Sequence, residues 1–241
     1  MELGQDRRCN RRPVQWFSRS GRQVCRAKRY QALFLRLARG APPVKVYSYV
    51  VARDFGFAPN PFFGVCSLAT CKPVIRRTAN VGDWIVGTGS ASRGRQGRLV
   101  FAMQVSRTMT FTEYWNDADY EIKRPNLRGS QKLAFGDNIY HKAGQRFIQA
   151  DSHHSYADGS PNPHNIRNDT QTDRVLLADK FVYWGGDGPV IPKRFRKAPN
   201  ICAVRGHKCQ FPDAFAAAFV GWIEAENVWG CPGRPLDWDR T

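Results

Sequence analysis

At 241 residues, with 37 Lys and Arg against 20 Asp and Glu, the chain carries a formal net charge of +17. That length suits one full domain, or one domain with an appendage, and a hydrophobic fraction of 42% supports a sizeable core. No apolar run approaches the roughly 18 residues of a membrane-spanning helix, and the basic balance favours a polyanionic partner, a nucleotide or nucleic acid.

The charge is uneven. Residues 1–46 hold 12 of the 37 basic residues and 2 of the 20 acidic ones. Residues 1–43 therefore read as a basic leader, flexible or non-native, that ends at Gly40-Ala-Pro-Pro43. A domain is expected from Val44 to the end of the chain. The leader is expected to be dispensable for folding. Seven cysteines, an odd number without an export signal ahead of them, fit reduced thiols in a cytoplasmic protein.

Val44 to Arg53 (VKVYSYVVAR) is the clearest strand, a run of β-branched and aromatic residues. The loop Asp54 to Phe63 follows, rich in Pro, Gly and Asn and carrying four phenylalanine rings, three of them solvent-plausible. Loops at strand ends are where sites are built, although aromatic loops also pack down on a core. In Gly64 to Thr78, Pro73 argues for a strand or a short helix start. Val81 to Ser90 (VGDWIVGTGS) pairs a Gly82-Asp83 turn with a strand that ends in small hydroxyl residues.

Arg93, Arg95 and Arg98 lie in a glycine-spaced loop, either a solvated hairpin or a phosphate contact. Leu99 to Ser106 is a further strand. Thr110 to Asp117 reads as a helix capped by Thr110 or Thr112. Lys123, Arg124, Arg128 and Lys132 crowd a turn-rich stretch that reads as a phosphate surface or a solvated loop.

The densest polar cluster runs from Gln149 to Asn165 and holds three of the five histidines. Asp151, His153, His154 and Asp158 are its candidates for acid–base chemistry. On a strand, adjacent His153 and His154 would point to opposite faces. Asp173 to Trp184 reads as two strands joined at Ala178-Asp179. The spacing of Cys202, His207 and Cys209 is poor for a structural zinc site, so no metal and no cofactor are expected. Asp213 to Glu226 is a helix with Asp213 as N-cap and a core stripe of Phe215, Phe219 and Trp222.

The order of opening strand, aromatic loop, GD turn and strand resembles PUA-like domains, including the EVE and ASCH groups. The segments YSYVVARDFGFAPNPFFGVCSLATCKP, VGDWIVGTGS, KRPNLRGS, FGDNIYH, QADSHHS and DGSPNPHN resemble, more closely still, the family called nucleotide modification-associated domain 2. The resemblance spans about residues 45 to 238. It implies an α+β fold, a PUA/EVE-like and mostly antiparallel β-barrel with peripheral helices and long loops. It also implies a role in prokaryotic or phage systems that handle modified nucleotides.

The expected function is a nucleotide or nucleic-acid binding module that seats a base, modified or not, at the barrel mouth. Phe55, Phe57 and Phe62 are the stacking candidates. Arg53, Asp54, Asn60, Thr88, Ser90, Asn138 and Asp151 are the groups expected to read its polar edges. Loop 53–63, strand end 88–90 and segment 151–154 are expected to share one pocket. Two other classes stand beside this one: an enzyme using a His/Asp acid–base pair on a nucleotide or DNA base, and a scaffold for other modification-system proteins. No P-loop, dinucleotide fingerprint or nucleophile elbow is present.

Overall fold

The structure, a computed structural model, describes residues 44–202 and 206–240. The expectations for residues 1–43 lie outside it.

The opening strand β1 (Val46–Val51) runs parallel to β3 (Trp84–Gly89), in register from Val46 opposite Trp84 to Val51 opposite Gly89. Its entry is fixed by the GD turn. Gly82 has φ +99°, and the Asp83 carboxylate accepts from Lys45 N at 3.0 Å and Asn80 N at 2.8 Å. An Asp that bonds nearby main chain replaces the hydrogen bonds a turn leaves open. β4 (Leu99–Gln104) pairs antiparallel with β3, and β9 (Lys180–Tyr183) with β4; β10 (His207–Lys208) pairs antiparallel with β1. The sheet order is β10-β1-β3-β4-β9.

A second, three-stranded sheet has the order β2-β8-β5, with β2 at Cys66–Leu68, β5 at Arg107–Met109 and β8 at Val175–Ala178. β4 leads into β5 and β8 into β9, so two chain segments pass from one sheet to the other. Both bends are tied at Ser106, whose Oγ donates to Leu177 O (3.1 Å) and accepts from Asp179 N (3.3 Å). Strands β6 (Tyr140–Ala143) and β7 (Arg146–Gln149) form a hairpin about Gly144, φ +61°. The α+β class holds. The expected barrel is not seen: among the described residues the strands form two open sheets and a hairpin.

The five-stranded sheet is buried on both faces, which is why β1, β3 and β4 read as continuous apolar runs rather than alternating ones. Val46, Trp84, Val86 and Ala102 face Phe219 and Ile223 of helix α5 (Asp213–Ala225). Tyr47, Tyr49, Ile85 and Met103 face Cys66, Leu68, Leu176 and Ala178 of the second sheet. The far side of that sheet, Val175 and Leu177, packs on Phe111, Tyr114, Ile139 and Tyr140. Each such side chain contributes roughly 1.5–3 kcal/mol when fully buried.

Helix α1 spans Pro73–Thr78 and α2 spans Phe111–Asn116; α3 is the single turn Gln131–Ala134, and α4 spans Pro163–Asp169. α2 starts at Thr110, where a capping box forms: Thr110 Oγ1 accepts from Glu113 N at 3.2 Å and Glu113 accepts from Thr110 N at 2.7 Å. Helix α5 departs from expectation at its start. Pro212 is the N-cap, and Asp213 is the first helical residue with no capping bond. There its charge still suits the positive end of the helix.

Candidate functional site

Three segments distant in sequence meet on one side of the second sheet. Pro73 opens α1 because its φ suits the first helical position, where no N–H is needed. The two residues before it, Cys71 (φ +54°) and Lys72 (φ +42°), turn the chain through the left-handed region. α4 is started by Asn162, whose side chain accepts from His164 N at 3.0 Å, and it ends on Asp169, which is fully buried. Between the hairpin and α4 lies a tight turn bearing His153 and His154. Ser152 Oγ accepts from His154 N at 3.3 Å, while Asn165 and Gln149 donate to His154 O at 2.8 and 3.3 Å.

These elements set a hydrogen-bonded line. The Asp169 carboxylate accepts from His154 Nδ1 at 2.8 Å, from Tyr140 OH at 2.9 Å and from Cys71 N at 2.7 Å. With Nδ1 as the donor to Asp169, Nε2 is the ring nitrogen that lies 3.8 Å from Cys71 Sγ. Burial alone would lower the His154 pKa. The hydrogen bonds to Asp169 and Cys71 outweigh it, and the pKa is raised to about 9. The His154 side chain keeps 15% of its surface exposed and Asp169 keeps none.

Arg76 braces the line from behind. Its fully buried guanidinium donates to the carbonyls of Cys71 (2.8 Å), Arg174 (2.7 Å), Thr172 (3.2 Å) and Asp169. Burial lowers its pKa to about 10, still well above neutrality.

Beside the line stands an aromatic wall. The His153 ring lies 4.7 Å from Phe55, 5.3 Å from Phe57 and 5.1 Å from Phe135; Phe55 and Phe135 stack at 5.0 Å. His153 and His154 occupy a turn, not a strand, so both rings reach Phe57 rather than opposite faces. Packing among these rings, then the charges of His154 and Arg53, push the His153 pKa down to about 4. One imidazole is thus held neutral and its neighbour charged.

The expected single pocket divides at the loop after β1. Asp54 and Ser90 line a small cleft with Arg93, Arg95, Gly185 and Asp237, whereas Phe55 and Phe57 turn to the histidines. Asp54 is committed there. Its carboxylate accepts from Tyr183 OH and from Leu236 N, and burial raises its pKa. Arg93 pairs with Asp237 at 3.1 Å, and Arg98 donates to Gly188 O at 3.0 Å.

Several expected contact residues are internal. Thr88 Oγ1 donates to Tyr49 O, and Asn138 donates to the carbonyls of Tyr114 and Tyr120. Phe57 and Phe62 are buried, Phe62 stacking on Trp238 at 5.4 Å. Lys123 corrects the phosphate set. It is 1% exposed, and its Nζ donates to Asn60 O, Asn60 Oδ1 and Ser67 Oγ at 2.7–3.1 Å. Arg124 stacks over Trp115 at 4.4 Å and donates to Trp115 O, while Arg53, Arg128 and Lys132 remain exposed.

Of the four acid–base candidates, only His153 and His154 reach the site. Asp158 is exposed and caps its own turn through Ser160, and Asp151 is exposed beside Gly159. Cys202 packs with the α5 side of the main sheet and Cys209 with the opposite side, so the Cys202/His207/Cys209 spacing does not converge.

Sequence reading missed Cys71, Asp169, Tyr140 and Arg76. The one available signal was Pro73, which marks Cys71 as lying just ahead of a helix. Nothing local links Cys71 to partners 83 and 98 positions away.

Among the described residues no helix is long and apolar enough to cross a membrane. Neither a curated protein nor a solved structure matches the chain. Residues 43–241 match the family model described as nucleotide modification associated domain 2, and the chain belongs to that family.

Proposed function

We propose that this chain is an enzyme of a nucleotide-modification system, acting on a nucleotide or on a base within nucleic acid. His154 and Asp169 form its acid–base pair. The base lies against His153 and Phe55, with Arg53 available to a phosphate. The single observation that carries this reading is the oriented imidazole: Nδ1 is fixed by a buried carboxylate at 2.8 Å, and Nε2 lies 3.8 Å from Cys71 Sγ on a side chain that keeps 15% of its surface exposed. A charged imidazole held by an orienting carboxylate is a positioned general acid, and it becomes a base once it has given its proton up. The flanking rings supply flat apolar surface for a base, worth about 1–3 kcal/mol per stacked base. A nucleotide-related substrate is supported by the family description, nucleotide modification associated domain 2.

A second reading is supported by the separate cleft, where Ser90, Arg93 and Arg95 meet. There the chain would be a binding module that recognises a modified base, in a prokaryotic or phage modification or defence pathway, without turning it over. Kinship with PUA-like barrels belongs with these proposals. It is supported by the two segments, β4–β5 and β8–β9, that pass from one sheet to the other.

The test is incubation of the full chain with deoxynucleoside monophosphates and single-stranded oligonucleotides, unmodified and base-modified, read by mass spectrometry. Conversion that is lost in His154→Gln and Asp169→Asn supports the enzyme. Binding without conversion, weakened by Arg95→Ala and not by His154→Gln, supports the module. Neither binding nor conversion contradicts both and leaves the scaffold role.

A further inference from the structure

We infer that Cys71 is the nucleophile of this site and forms a thioester with an acyl or amide carbon carried by the nucleotide substrate. The inference rests on the reading of His154 as the site's acid–base group and adds a covalent step to it.

The geometry is that of a nucleophile, a base and an orienting acid in line. Sγ lies 3.8 Å from Nε2, the one ring nitrogen that Asp169 does not hold. Such contacts are long in unliganded sites and tighten around substrate. Asp169 also fixes the nucleophile itself: its Oδ1 accepts from Cys71 N while its Oδ2 accepts from His154. One buried carboxylate therefore sets both the thiol's main chain and the imidazole's ring. Arg76 closes the frame by donating to the Cys71 and Asp169 carbonyls.

The backbone at Cys71 is costly for a residue with a side chain. Two consecutive non-glycine residues at φ +54° and +42° lie where such residues are uncommon. The surrounding hydrogen bonds hold that conformation, and it brings the thiol to the histidine. A plain core cysteine contrasts with it: Cys66, at the same end of the chain segment, is fully buried and burial raises its pKa far above the usual thiol range. Cys71 is half-buried.

The thiolate is the reacting form of a cysteine, and Nε2, 3.8 Å from Sγ, is placed to stabilise it as it attacks. In the first step Sγ bonds to the acyl carbon while the bond from that carbon to its leaving group breaks. The Nε2 proton departs with the leaving group. In the second step water gives a proton to Nε2 and bonds to the same carbon, the S–C bond breaks, and thiolate and imidazolium return. Water is the only co-reactant. The base would rest against His153 while its acyl substituent reaches Cys71.

The full chain is treated with 4-nitrophenyl acetate and, separately, with iodoacetamide, and modification is read peptide by peptide. Cys231, an exposed thiol, is the internal control. The expected result is a nitrophenolate burst with acetyl on Cys71, and alkylation of Cys71 about tenfold or more faster than of Cys231. His154→Gln should abolish the excess rate at Cys71 and leave Cys231 unchanged. Equal rates at the two cysteines in the unaltered protein, which needs no variant to fold, would overturn the inference. So would an unchanged Cys71 rate in a folded His154→Gln protein. Nucleotide conversion that survives Cys71→Ala yet needs His154 would remove the covalent step and leave the acid–base enzyme standing.

Discussion

Two buried carboxylates lie in adjoining parts of this domain and are used in opposite ways. Asp137 is fully buried near Lys123, with Tyr114 donating to it at 2.9 Å. Burial raises its pKa and lowers that of Lys123. Every proton on Lys123 Nζ has an internal acceptor, so the cluster offers nothing to solvent. Asp169 is equally buried, but it passes its interaction to an imidazole that keeps 15% of its surface exposed and whose far nitrogen lies 3.8 Å from the Cys71 thiol. The first arrangement ties the loop at Asn60 to the segment at Lys123. The second spends the same kind of charge on an oriented group with work left to do. Burial of an acid does not by itself mark a site; what matters is whether its hydrogen-bonded chain ends inside or reaches a surface.

Breaking each arrangement should separate stability from reactivity. The largest effect is expected at Lys123→Met, which removes three buried hydrogen bonds to Asn60 and Ser67 and the cation nearest Asp137. Each buried acceptor left unsatisfied costs about 1–3 kcal/mol, and denaturant unfolding should show the combined loss without a selective change at Cys71. Arg76→Met orphans four carbonyls and should destabilise by about 3 kcal/mol or more. Unlike Lys123→Met, it should also slow alkylation of Cys71.

Asp169→Asn should cost less, about 1–3 kcal/mol, and should alter the pH dependence of stability. His154 has a folded-state pKa above its ordinary 6.5. Its contribution is therefore fully present below about pH 6.5 and is lost as pH rises through about 9. Unfolding free energy measured from pH 6 to 10 should fall more steeply in the unaltered protein than in Asp169→Asn. His153 works in the other direction. Its folded pKa is depressed to about 4, so its contribution is present above about pH 6.5 and is lost as pH falls toward 4. Thr110→Ala should cost about 1 kcal/mol through loss of the cap. Cys71→Ser should be the smallest, within about 1 kcal/mol because the thiol makes one weak contact there.

Elements governed by local rules were legible in the sequence. The GD turn, the N-cap at Thr110 (one of the two threonines expected to serve), the strand pair joined at Asp179 and the apolar face of α5 all follow from neighbours within a few positions. The site was legible only in half. A dense polar segment pointed to His153 and His154, yet the nearest carboxylates, Asp151 and Asp158, stay in their own turns. The acid that orients His154 comes from the end of α4, and the thiol arrives from the loop before α1. That pairing is set by how β2 and β8 bring the two loops together, which no spacing encodes. Lys123 failed for the same reason. In sequence it sits among turn residues and other cations, and only the packing of Asn60 and Ser67 around it takes it out of water.

Asp169 holds the His154 imidazole at Nδ1, and NMR titration of that ring tests this most directly. The unaltered protein should show His154 titrating near pH 9, with Nδ1 protonated throughout, and Asp169→Asn should return the midpoint toward the ordinary 6.5. A midpoint near 6.5 in both proteins would contradict it.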